Sequence, residues 1–289
     1  MINLTTFTLV DVPVATSDLL DFFESAPHLR EVELHDATST SDGQGGRLVS
    51  LTCLKWMEIH SSSSSVLLDH LLIPAGASLM AWVDLPTTPT EAPPRFLDNL
   101  KNFPNFTTIE LDLTSEDTPY PRMEFSGPNG IVTMILVTPR PDETCFLLES
   151  LAQFGTSKVE RLDIDFDDSP PNDPPYRALL PMGNLRTLTL SNCDTPHPFI
   201  HALDPSMSLS QVIVCPRLEE LNVYHKKTLD IKSFIRMAAA RASGGVKLKS
   251  VRISSWFVTT YSQRDVLELG MHVSRVECGH SDSSDEEDQ

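Results

Sequence analysis

Apolar residues in this chain recur as a triplet at positions one, four and six of a short segment, with polar residues between them. The copies start at Leu4, Leu29, Leu54, Leu79, Phe106, Ile131, Val159, Leu185, Leu218, Leu248 and Val273, eleven in all at intervals of 25 to 33 residues. The clearest reads Leu185-Arg-Thr-Leu188-Thr-Leu190-Ser-Asn-Cys193; the poorest match is Leu79/Trp82/Asp84. Alternation at the end of each triplet is the pattern of a strand with one face buried.

Between the triplets lie segments with helical spacing. Ser17-Asp-Leu-Leu-Asp-Phe-Phe-Glu-Ser places Leu19, Leu20 and Phe23 on one face behind a Ser suited to capping a free backbone N–H. Helical stretches are expected again from Ser65, Pro94, Glu143, Pro198, Asp230 and Ser262. A strand and a helix repeated at this period cannot bury their apolar sides singly, and stacking the units buries them. The predicted fold is therefore α/β, a leucine-rich-repeat solenoid of about eleven repeats over residues 1–279. A curved parallel sheet would line its concave side, with helices and loops on the convex side.

Departures from the period are also readable. Residues 120–137 contain two strand-like runs around Gly127-Pro-Asn-Gly130, which predicts a hairpin in place of a helix. Residues 167–181 hold five prolines and no apolar period, which predicts a surface loop. The serine run 61–65 reads as loop, its last residue capping a helix. Residues 38–46 and the acidic tail 280–289 are polar enough to be expected disordered.

Composition narrows the partners. Forty acids against 22 bases give a net charge of −18, and five of the acids fall in the last nine residues. Such a chain repels phosphate backbones, so neither nucleic acid nor an anionic membrane is expected as a partner; a basic protein surface is. Five scattered cysteines without a C-x-x-C pair fit a reducing compartment. Met1-Ile-Asn-Leu-Thr-Thr has no basic stretch before an apolar run, and no apolar run is long enough to span a bilayer. Cytosol or nucleus is the expected location.

If the triplets pair in register, their fifth positions form one row on the open face, with neighbours roughly 4.8 Å apart. That row reads Thr8, Glu33, Glu58, Val83, Glu110, Ile135, Asp163, Thr189, Asn222, Arg252, Glu277. The seventh positions give Val10, His35, His60, Leu85, Asp112, Val137, Asp165, Ser191, Tyr224, Ser254, Gly279. Glu33, Glu58, His35 and His60 make one patch; Glu110, Asp112, Asp163 and Asp165 make another; Tyr224 adds an aromatic. Like charges directly opposite cost stability. Two readings follow: charge kept for solubility, or charge kept for a cationic partner.

Other chemistry finds little support. Cys193, His197 and His201 are four residues apart, but Pro196 and Pro198 disturb the spacing and no fourth ligand follows, so these read as structural. His35 and His60 beside two glutamates are a second, equally incomplete metal set. No nucleophile elbow, phosphate-binding loop, zinc-protease motif or dinucleotide fingerprint occurs, so neither a cofactor nor an enzyme is expected. Ser283 and Ser284 each precede an acid by three residues, a pattern suited to acidophilic kinases.

Several phrases resemble a known family. Asn184-Leu-Arg-Thr-Leu-Thr-Leu-Ser-Asn-Cys193, Phe199-Ile-His-Ala-Leu203, Val214-Cys-Pro-Arg-Leu-Glu-Glu-Leu221 and Met237-Ala-Ala-Ala-Arg-Ala-Ser243 resemble the large F-box/leucine-rich-repeat families of mushroom-forming fungi. So do Leu68-Asp-His-Leu-Leu-Ile-Pro-Ala-Gly-Ala-Ser-Leu79 and Ser126-Gly-Pro-Asn-Gly130. The resemblance implies repeats that capture a substrate and an N-terminal F-box that docks a Skp-type adaptor of a cullin–RING ubiquitin ligase. The first triplet starts at Leu4 with no helical F-box stretch before it, so the expectation is a substrate-recognition module without its F-box, adaptor contact depending on an upstream one. The alternative is a stand-alone binding or decoy protein unconnected to the ligase.

Overall fold

A computed structural model of the chain describes residues 3–37, 47–61, 64–83, 106–113, 120–128, 130–136, 148, 151, 156–166, 175–193, 196–207, 212–225, 229–255 and 261–280. In chain order the elements are β1 (Thr6–Val10), α1 (Thr16–Ser25), β2 (Glu31–His35), β3 (Val49–Ser50), β4 (Trp56–His60), α2 (Ser64–Leu68), β5 (Leu71–Leu72) and β6 (Ser78–Val83). There follow β7 (Thr108–Asp112), β8 (Arg122–Gly127), β9 (Gly130–Leu136), β10 (Arg161–Asp165), α3 (Tyr176–Leu179), β11 (Thr187–Cys193) and α4 (His197–Leu203). The last are β12 (Glu220–His225), α5 (Ile231–Ser243), β13 (Ser250–Ser255), α6 (Gln263–His272) and β14 (Arg275–His280). The fold is mixed α/β with mostly parallel strands, and the chain forms two compact units, Met1–Thr107 with Ser115–Arg140 and Thr108–Thr114 with Pro141–Gln289.

In the first unit β1, β2, β4, β6 and β9 run parallel in that order, and β8 pairs antiparallel with β9. Each strand buries alternate residues. Val32, Leu34, Met57, Ile59, Leu79 and Ala81 are at most 1% exposed, while Glu33, Glu58 and Met80 between them face outward. Helix α1 closes one side of this core through Leu19, Leu20 and Phe23, with Phe7 against Phe22 at a centroid distance of 4.4 Å. Its N-cap is Ala15, with no side-chain cap, so the capping role expected of Ser17 falls inside the helix instead. Asp11 and Asp36, just past β1 and β2, take φ of 54° and 48° and donate their N–H groups to the carbonyls of His35 and His60. A short polar side chain tolerates this left-handed turn.

The register corrects two triplets. Met57 pairs with Leu79 and Ile59 with Ala81, so Leu79 holds the second apolar position rather than the first. Trp82 therefore faces outward and Val83, placed by the spacing on the open row, is fully buried. Likewise Leu79 pairs with Val132 and Ala81 with Met134, which moves Ile135 from the row expected for it to the row of Trp82. The residue pattern explains the slip: Ser78-Leu-Met-Ala-Trp-Val83 is plain alternation with a small Ala inward, and a leucine template mistakes Trp82 for the core residue. The hairpin expected near 120–137 is present as β8 and β9, with Gly127 opposite Gly130. Gly130 has φ of 149°, and a Cβ on it would lie 2.7 Å from the Ala77 carbonyl oxygen.

In the second unit β7, β10, β11, β12, β13 and β14 run parallel in that order. Their triplets pair as spaced: Ile109 with Leu162, Leu188 and Leu221 along one buried row, then Val251 and Val276. Helices α5 and α6 start where the sequence places them. Asp230 accepts from the Lys232 N–H, and Ser262 from the Asp265 N–H at 3.1 Å. Arg241 on α5 is fully buried and donates to the carbonyls of Val214 at 2.9 Å and Cys215 at 2.8 Å. Those carbonyls belong to a loop segment without ladder partners; the guanidinium fork reaches both, and the Cys215 carbonyl also accepts from the Leu218 N–H at 3.0 Å. Desolvation brings the Arg241 pKa down to about 10, and burial pushes the neighbouring Cys215 thiol up to about 12.

Of the remaining expectations, residues 38–46, the helix from Pro94, the segment 167–174 and the tail from 281 lie outside the described residues. Residues 176–179 of the proline-rich stretch form one helical turn that buries Ala178 and Leu179. Among the described residues no helix is long and apolar enough to cross a membrane.

Candidate functional site

Two rows cross the first unit on the side opposite its core, with Thr133 and Ile135 in them buried. One runs Thr8, Glu33, Glu58, Met80, Thr133, Glu124, each pairing with the next. The other starts Val10, His35, His60 and continues through Trp82, Ile135 and Arg122. Because parallel in-register strands stack equivalent side chains, the rings form a ladder. His35 and His60 lie 4.5 Å apart between centroids, His60 and Trp82 5.2 Å with planes 29° apart, and Trp82 and Tyr120 5.5 Å.

The polar atoms of this ladder are incompletely used. The Trp82 Nε1 is shielded from solvent and meets no acceptor among the described residues. The His60 Nε2 lies 2.6 Å from Glu58 Oε1, close enough for charge pairing yet not aligned as a hydrogen bond. Glu33 accepts from the Thr8 hydroxyl at 3.3 Å and stands directly across from Glu58. The patch thus joins an aromatic strip to a negative strip, each one residue wide.

The second unit brings Glu110 opposite Asp163 and Asp112 opposite Asp165, as the spacing predicts. Here part of the charge is answered from within. Arg161 Nε lies 2.6 Å from Asp163 Oδ2, and this hydrogen bond raises the Arg161 pKa. Asn192 donates to Asp165 Oδ1 at 2.6 Å. Farther along the same row Arg252 pairs with Glu277 at 2.6 Å. Tyr224 bonds Arg252, the largest cause of that guanidinium's raised pKa, and sits two strands from the carboxylates rather than among them.

The metal candidates do not assemble. Cys193 is fully buried in β11, and His201 Nδ1 lies 3.1 Å from the Tyr176 hydroxyl. Among the described residues no three His, Cys, Asp or Glu side chains form a group that could hold a metal ion.

The spacing located Glu33, His35, Glu58 and His60 but missed Trp82 and Met80, which it assigned to the wrong register. The alternation of Ser78–Val83 was the signal that finds them. Arg252 stands at a predicted outward position, whereas Arg161 lies outside the two rows read from the spacing; the partners of both depend on side-chain reach rather than on spacing. Compared with family models, curated proteins and solved structures, the chain gives no match. The likeness to fungal F-box/leucine-rich-repeat proteins therefore rests on the phrases quoted from the sequence.

Proposed function

We propose that this chain is a protein-recognition scaffold of the leucine-rich-repeat type, and that its partner rests on the outward face of the first unit. The observation that carries the reading is the ladder His35, His60, Trp82 and Tyr120 beside the carboxylates of Glu33 and Glu58. Aromatic anchors with an unspent donor are what interface centres use, and a flanking negative strip selects basic side chains. The partner is accordingly a protein segment carrying apolar and basic residues together. The partly compensated carboxylates of the second unit are the weaker candidate surface. No catalytic, cofactor or metal role belongs to this reading.

The family likeness extends the proposal to substrate recognition for ubiquitin ligation, with an F-box encoded upstream supplying the adaptor contact. The second reading, a stand-alone or decoy binder, differs in never meeting the ligase. Affinity purification with residues 1–289, identification of the prey and direct measurement with Trp82→Ala test the scaffold. A direct partner whose affinity falls at least about tenfold supports it; a partner indifferent to Trp82 removes this face. An in-frame F-box upstream of Met1 favours the receptor over the decoy.

A further inference from the structure

The loops entering β11, β12 and β13 line an open cavity of about 350 Å³ whose charge opposes that of the whole chain. Four of its lining residues are the cations Arg186, Arg217, Lys247 and Lys249, and the one acid is Glu219. In a protein of net charge −18 such a cluster is unlike the rest of the sequence. The repeat builds it. Residues 186, 219 and 249 occupy the same position before successive strands, joined by hydrogen bonds from the Glu219 N–H to the Arg186 carbonyl and from the Lys249 N–H to the Glu219 carbonyl, each 2.8 Å.

Glu219 is spent on its own row, 2.7 Å from Lys249 Nζ and 3.9 Å from Arg186 Nη1. It neutralises one charge of that pair. Arg217 is held by a neutral acceptor, donating from Nη1 to Asn184 Oδ1 at 2.7 Å. Among the described residues neither Arg217 nor Lys247 has an acidic partner. Two uncompensated cations thus share one concavity with a half-compensated pair. A planar Arg fork beside Lys point charges suits the three oxygens of a phosphate monoester better than a single carboxylate.

We propose that this cavity is a binding site for a single phosphate group, with Arg217 and Lys247 as its principal donors and Arg186 and Lys249 at its margin. The chain's net charge of −18 opposes nucleic acid, which presents phosphates in long rows, and favours an isolated phosphate as the ligand. The source is a phosphorylated side chain of a protein or a free phosphate, and the cavity belongs to the second unit while the face proposed above belongs to the first, so neither proposal rests on the other.

The test is titration of the full chain with inorganic phosphate and with a phosphoserine peptide of neutral flanking sequence, beside the same peptide unphosphorylated. Saturable binding of the phosphopeptide with none by its unphosphorylated form is expected. Loss of two charge-assisted contacts in Arg217→Gln/Lys247→Gln weakens it by about tenfold or more. Competition by millimolar inorganic phosphate alone assigns the site to free phosphate; a clear preference for the peptide assigns it to a phosphorylated side chain. Equal binding of both peptides, absence of phosphate and phosphopeptide binding alike, or an unchanged affinity in the folded double variant overturns the proposal. Thermal unfolding of the variant checks folding, and both side chains are solvent-facing, so an unaltered melting curve is expected.

Discussion

Trp82 stacks on His60 with ring centroids 5.2 Å apart, yet its indole N–H meets no acceptor among the described residues. A shielded, unmade hydrogen bond costs the free protein stability and is recovered when a partner supplies a carbonyl. Trp82→Phe keeps an aromatic face, though a smaller one, and removes the donor. Chemical denaturation should show stability unchanged or higher by about 1 kcal/mol, while partner affinity falls. Full affinity in the Phe variant would show that the donor is not used.

Glu33 and Glu58 face each other across β2 and β4. Replacing Glu33 by Gln removes the repulsion and should raise unfolding stability by about 0.2–1 kcal/mol at low salt. Binding of a basic partner should weaken in the same variant. Stabilisation without any loss of binding would return Glu33 to a solubility role.

Gly130 sits where the hairpin turns back, with φ of 149° and the Ala77 carbonyl oxygen 2.7 Å from any added Cβ. Gly130→Ala combines a backbone region open to glycine with a collision against rigid main chain. A loss of about 1–3 kcal/mol is expected by denaturant titration. A neutral effect would mean that Gly130 does not lie against the Ala77 carbonyl as described.

Cys215 supplies a pH signature. Its folded thiol keeps its proton up to about 12, whereas the ordinary value is 9.0, burial being the main cause and Arg241 opposing it. Between those two values the folded state binds more protons than the unfolded one. This contribution is therefore fully present below about pH 9 and is lost as pH climbs toward 12, with a slope of at most about 1.4 kcal/mol per pH unit. Cys215→Ala should flatten the fall of stability in that window. An identical slope in wild type and variant would contradict the burial of the thiol.

Much of this was legible in the spacing because a parallel sheet with one buried face fixes which residues alternate inward. Val32, Met57, Leu162, Leu188 and Leu221 fall in the core as the triplets predict. The failures came where the apolar residue was small. Ala81 occupies a core position that the pattern seeks in a larger residue, and Trp82 drew the register three residues along. The aromatic ladder was thereby split, leaving two histidines without the indole that completes it. Partner choice among charges was not legible either: Arg161 on Asp163 and Tyr224 on Arg252 are decisions of side-chain reach in three dimensions. Nothing local in the sequence marks the burial of Arg241 or the carbonyls it serves.

The most direct test of the recognition face is the affinity of the identified partner for the full chain and for Glu33→Ser/Glu58→Ser, measured across a salt series. The account predicts weaker binding at low salt and a shallower salt slope in the variant, with the melting temperature retained. Equal affinity and equal slope in the two proteins would contradict it.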